Sequence, residues 1–137
     1  MPQSSIDAAR LGREVVADGR LKGLRVRLGL TRNAMAELLH TSALTYTSWE
    51  TREVTLWPTT AIRVGRFFQN AEDELEVLRE HEMSIEHLVP FHIVSTLLGV
   101  PQEQLLRRYR EGEFSAVDIG ILGLWVPRAE LQKLRHH

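Results

Sequence analysis

Along the first half of the chain, apolar residues recur every three or four positions between short polar residues, the period of helices with one buried face. Ser4 or Ser5 can cap a helix over 5–16 (SIDAARLGREVV), and Asp18 can cap another over 19–28 whose stripe is Leu21, Leu24 and Leu28. Gly29 stops that helix. Thr31 caps the next, with Ala34, Met35, Leu38 and Leu39 facing inward. Ser42 caps one running to about Thr51, with Tyr46 and Trp49 three apart on its buried face. Pro58 suits the first turn of a helix over 58–69, with Ile62, Val64, Phe67 and Phe68 as core candidates. The acidic stretch that follows, carrying Leu75, Val77 and Leu78, reads as a separate linker helix ending near Glu82–Ser84.

From Ile85 the pattern changes. Pro90–Leu98 predicts a helix ended by Gly99. Pro101 opens another, running to about Arg110 with Leu105, Leu106 and Tyr109 as its apolar face, and Gly112 ends it. The segment FSAVDIGILGLWVP alternates between β-prone runs around Gly120 and Gly123, which predicts a small hairpin. Pro127 can start a last short helix. The expected fold is mainly α: an N-terminal helix-turn-helix bundle over 1–70, an acidic linker helix over 71–84, and a small helical C-terminal domain with a short β-hairpin over 85–137.

Charge sharpens this division. Residues 1–70 carry ten Lys/Arg against six Asp/Glu, residues 71–88 one against seven, and residues 89–137 six against five, so the net charge of −1 conceals an acidic block between two weakly basic segments. That block is either a solvated helix face or a spacer kept off phosphates by repulsion. With no cysteine, disulfides and thiolate metal sites are excluded, and a reducing cytosol is the expected home. No apolar run reaches membrane-spanning length, and no signal-peptide core opens the chain. The terminal His136-His137 pair suggests no function.

The stretch LTRNAMAELLHTSALTYTSWE concentrates hydroxyl residues on one helix although all are mediocre helix formers. Ala36 supplies the small mid-helix residue that two helices in contact need, and Tyr46 with Trp49 would lock the second onto the first. Ala43, Leu44, Thr47 and Ser48 are left pointing away. From Leu21 to Phe68 this resembles the helix-turn-helix of the lambda-repressor-like (XRE) family, with His40 where that family usually has glycine. The resemblance implies that the second helix lies in the DNA major groove with its N-terminal part against base edges. Ser42, Thr47 and Ser48 would then approach bases or phosphates, Thr41 and Thr45 would read bases or else only cap the helix or touch phosphate, and Ala43 and Leu44 would meet a thymine methyl. Arg32, with Asn33 beside it, stands where the family commonly touches phosphate or a flanking base. Arg52, just past the helix, is a backbone anchor or else a solvated surface arginine.

Residues 88–131, with helix, Gly-Val-Pro turn, helix, glycine, hairpin and helix in order, resemble the winged helix-turn-helix of MerR-like and excisionase-type proteins. Gln102, Gln104, Arg107, Arg108 and Arg110 fall on or near the exposed side of its second helix, and Gln and Arg suit bidentate contacts to adenine and guanine edges. The apolar wing (Ile119, Ile121, Leu122, Leu124, Trp125) leaves a rival reading open, in which Trp125 and the wing form a dimer interface.

Nothing points to catalysis. His40, His81, His87 and His92 miss the i, i+4 metal spacing, and there is no phosphate-cradling glycine loop or nucleophile elbow. No enzyme activity, cofactor or metal is expected. The combination of XRE-like motif, acidic helix and compact winged unit in 137 residues resembles the immunity repressors of temperate mycobacteriophages. That resemblance implies a repressor of lytic promoters in the host cytoplasm, binding short asymmetric double-stranded DNA sites, with a monomer on DNA and a homodimer as the alternative. An excisionase-like or antitoxin-type regulator is the second expectation, and an interaction adaptor that kept the bundle without using it the third.

Overall fold

The computed structural model describes residues 4–135, and the His136-His137 pair lies outside them. The chain is mainly helical, with one small antiparallel sheet, and divides into two compact units at Asp73–Glu74.

The first unit contains α1 (Ser5–Ala17), α2 (Arg20–Arg27), α3 (Arg32–Leu38), α4 (Ala43–Thr51) and the start of α5 (Pro58–Glu80). Side-chain caps place three of these starts: the Ser4, Thr31 and Ser42 hydroxyls accept from the backbone N–H groups of Asp7, Ala34 and Thr45. The junction of α1 and α2 departs from expectation. Gly19, not Asp18, is the residue before α2, because the turn requires a left-handed backbone (φ +83°) that glycine adopts freely. Asp18 closes α1 instead, and its carboxylate accepts the Arg20 N–H.

Helix α2 ends at Gly29 (φ +68°) and α3 at His40 (φ +55°), each followed by an N–H that reaches back five residues, Leu30 to Arg25 and Thr41 to Ala36. This is the Schellman closure, and at His40 a non-glycine residue carries it. Tyr46 and Trp49 are buried and meet edge to face, with ring centroids 5.8 Å apart. Leu38 and Ile62 are only half-buried, whereas Ala36 and Ala61 are fully enclosed.

Helices α1 and α5 approach backbone to backbone. A Cβ on Gly12 would stand 2.0 Å from the Ala61 carbonyl oxygen, and one on Gly65 would stand 1.9 Å from that of Ala8. The Arg13 guanidinium holds the Leu56 carbonyl oxygen at 3.2 and 3.3 Å, fixing the segment that leads into α5.

No separate linker helix exists at 71–84. Helix α5 runs unbroken to Glu80, since no residue between Gly65 and Glu80 interrupts it, and it closes in a Schellman turn at Glu82 (φ +58°).

The second unit orders as β1 (Leu88–Pro90), α6 (Phe91–Leu98), α7 (Gln102–Arg110), β2 (Val117–Asp118), β3 (Leu124–Pro127) and α8 (Arg128–Arg135). The β2–β3 hairpin anticipated from sequence is present, with a 3₁₀ turn at Gly120–Leu122 in its loop. A third strand was not anticipated: β1 pairs with β3, Val89 opposite Val126, and the sheet order is β1-β3-β2. Val89, Val94, Leu105, Phe114, Val126, Leu131 and Leu134 form the core, with Phe91 and Tyr109 packed against the Phe114 ring. Of the apolar residues around the hairpin, Ile119, Leu122, Trp125 and Val126 are buried, Leu124 is half-buried and Ile121 is exposed. Trp125 is 2% exposed and donates its indole N–H to the Leu122 carbonyl, so it offers no surface for a dimer interface.

Candidate nucleic-acid interface

Helix α4 has two faces of different character. Its inner face carries Tyr46, Trp49 and Glu50, and Glu50 is the unexpected member. The Glu50 side chain is 3% exposed, and its carboxylate accepts from Arg25 (2.7 and 3.1 Å), Arg32 Nε (3.1 Å) and the Tyr46 hydroxyl. One carboxylate thus ties α2, α3 and α4 together. Burial alone would raise the Glu50 carboxyl, but the bonds from Arg25, Tyr46 and Arg32 prevail and hold it below the ordinary glutamate range. The hydrogen bond to Glu50 likewise raises Arg25, and burial with the same bond raises Tyr46.

The outer face is bare. Leu44 is 83% exposed, as are several other large apolar residues of the chain to a similar degree, Trp57 (80%) among them. Leu44, Thr45, Thr47, Ser48 and Arg52 line one open depression together with Thr51, which the sequence reading did not single out. Ser42 is exposed, and Thr41 and Ala43 are partly so, at the N-terminal end of this face. Arg52 caps α4 through its N–H to Ser48 and makes no ion pair among the described residues.

The two residues expected from α3 fare differently. Asn33 is exposed on the helix. Arg32 is 41% exposed, with Nε committed to Glu50 while the two Nη groups remain outside that bond.

In the second unit, α6 and α7 form another helix-turn-helix, closed by Gly99 (φ +67°) with Val100 N–H on the Ser95 carbonyl. From left-handed residue to helix start the spacing matches that of α3 and α4, His40 to Ala43 and Gly99 to Gln102. Gln102, Gln104, Arg107 and Arg110 are exposed on α7, whereas Arg108 is largely covered and pairs with Glu113 at 2.8 Å. Leu105 takes the fully buried position that Tyr46 holds in α4.

Among the described residues there is no group of three His, Asp or Glu placed to hold a metal ion, and no helix is long and apolar enough to cross a membrane. No protein-family model, curated protein or solved structure matches the chain.

Proposed function

We propose that the chain is a sequence-specific double-stranded DNA-binding repressor that places the outer face of α4 in the major groove. Within that reading it acts in the cytoplasm of a bacterial host as a phage immunity repressor, maintaining lysogeny from short asymmetric sites. The observation that carries the proposal is the contrast across α4. The inner face is clamped by a buried aromatic pair and a carboxylate bonded by three residues, while the outer face presents Leu44, Thr45, Ser48 and Arg52 to solvent. A rigid helix with a methyl-bearing and hydroxyl-bearing outer surface fits base edges, and the adjoining arginines supply phosphate contacts. The equally spaced helix pair in the second unit supports a second DNA contact from the same chain through Gln102, Gln104, Arg107 and Arg110.

Selection from a random duplex pool, followed by titration of the recovered sequences at several salt concentrations, tests this reading. A recovered consensus without dyad symmetry, bound with affinity that falls steeply as salt rises, is the expected outcome. Absence of any enriched sequence would remove the DNA-binding reading.

A further inference from the structure

On the reading that α4 meets base edges, the geometry assigns opposite hydrogen-bonding polarity to two parts of its hydroxyl face: we propose that Ser48 reads an exocyclic amino group, whereas the Ser42–Thr45 pair reads an acceptor.

The argument rests on where each hydroxyl proton is committed. Ser48 Oγ lies 2.6 Å from the Thr45 carbonyl oxygen. A carbonyl oxygen only accepts, so the Ser48 proton must point into the helix. What Ser48 presents outward is a lone pair. Thr51 is the same case one turn on, with Oγ1 at 2.9 Å from the Thr47 carbonyl oxygen. A lone pair cannot bond a phosphate, which has no proton to give at neutral pH. In the major groove the available donors are the N6 amino group of adenine and the N4 amino group of cytosine. Ser48 therefore suits one of those two groups and no backbone contact.

Ser42 and Thr45 are arranged the other way. Ser42 Oγ accepts the Thr45 N–H at 3.0 Å, and the two hydroxyl oxygens are 2.9 Å apart. That pair holds two hydroxyl protons, and Ser42 donates its own to Thr45 Oγ1, so the proton left over is that of Thr45. One proton is left for an outside acceptor: N7 or O6 of guanine, N7 of adenine, O4 of thymine, or a phosphate oxygen. Leu44, between them in sequence and standing clear of the protein, adds a methyl contact that has no polarity.

The experiment uses the full chain and the duplex recovered by selection, with single analogues placed through the site. Purine in place of adenine, or 2-pyrimidinone in place of cytosine, deletes one amino group, and 7-deazapurines delete one N7 acceptor. Wild type, Ser48→Ala and Thr45→Val are titrated in parallel, so that the ratio between proteins cancels the analogue's effect on the duplex itself. At one position, deletion of the amino group is expected to weaken wild type by roughly three- to tenfold, the size of one net hydrogen bond, and to leave Ser48→Ala unaffected. A different position is expected to show the 7-deaza or acceptor loss in wild type and not in Thr45→Val, unless the pair's acceptor is a phosphate, when Thr45→Val weakens all sequences alike. The assignment is overturned if Ser48→Ala abolishes sensitivity to a 7-deaza substitution, or if no amino deletion distinguishes it from wild type. Failure of wild type to enrich any duplex would instead overturn the DNA reading on which the assignment stands.

Discussion

Substituting Gly65 by alanine tests the backbone contact that holds the first unit together. The added Cβ would stand 1.9 Å from the Ala8 carbonyl oxygen and 2.8 Å from its carbon. Carbon and carbonyl oxygen come no nearer than about 3.3 Å even in close contacts between helices. Helices α1 and α5 would therefore have to separate by more than an ångström, and no flexible side chain lies between them to absorb the shift. Overpacking of this kind costs about 1–3 kcal/mol, and a rigid backbone on both sides places it at the upper end. Alanine recovers about 1 kcal/mol through helix propensity, so the net loss is about 2 kcal/mol. For a unit of this size that lowers the melting temperature by roughly 8–16 °C. Gly23, within α2, is the control, because nothing lies within 4 Å of a Cβ placed there. Gly23→Ala is expected to gain about 0.5–1 kcal/mol. Calorimetry on the full-length variants reads both. A Gly65→Ala protein that melts at or above wild type would refute the close crossing of α1 and α5.

Three further outcomes are expected. His40→Gly relieves a left-handed histidine (φ +55°) and raises stability by up to ~1 kcal/mol in thermal unfolding; a clear loss would mean that the imidazole itself supports the turn. Because the folded Glu50 carboxyl lies below its ordinary value of 4.5, its contribution is complete above that pH and is lost as pH falls through the depressed folded value. Glu50→Gln should lower stability at neutral pH by about 3 kcal/mol, since it leaves Arg25 (14% exposed) without its counter-charge, and should flatten the acid limb of the stability curve; an unchanged acid limb would refute the role given to this carboxylate. Arg107→Ala and Arg110→Ala are expected to weaken DNA binding and reduce its salt dependence with melting unchanged, while light scattering on the complex gives one chain per site; two chains per site would assign the second unit to dimerisation.

The starts of α1, α3 and α4 were legible because each is written locally: Ser4, Thr31 and Ser42 cap through their own side chains, and Gly29, Gly99 and Gly112 stop helices by accepting a left-handed backbone. The outer face of α4 was legible for a related reason, since burial of Tyr46 and Trp49 fixes which residues face away. What escaped depends on distant partners. Three residues at Leu88–Pro90 show no alternation, and only pairing with Trp125–Pro127 makes them a strand. A switch to acidic composition near residue 71 falls close to where the chain divides into its two units, but it also suggested a new helix there, and charge does not end a helix: α5 continues through it. Trp125 in an apolar hairpin reads the same whether its indole is buried or exposed. Glu50 carried one faint signal, a carboxylate four residues after a buried tyrosine, yet its arginines come from two other helices. Gly12 and Gly65 gave none, because a glycine inside a helix announces no contact.

The sheet order β1-β3-β2 sets an order of events during synthesis. The central strand is the last of the three to leave the ribosome, so β1 and β2 emerge with no neighbour to pair with, and neither is adjacent to the other in the finished sheet. Until Leu124–Pro127 arrives, α6 and α7 can form locally but have no frame beneath them. The sheet of the second unit is therefore completed in one step, when β3 arrives. For the same reason, a protease that clips the chain between Gly123 and Trp125 would disturb far more than a hairpin arm, since β3 is the one partner of both outer strands among the described residues. Those strands are only three and two residues long, too short to recruit a foreign edge while they wait.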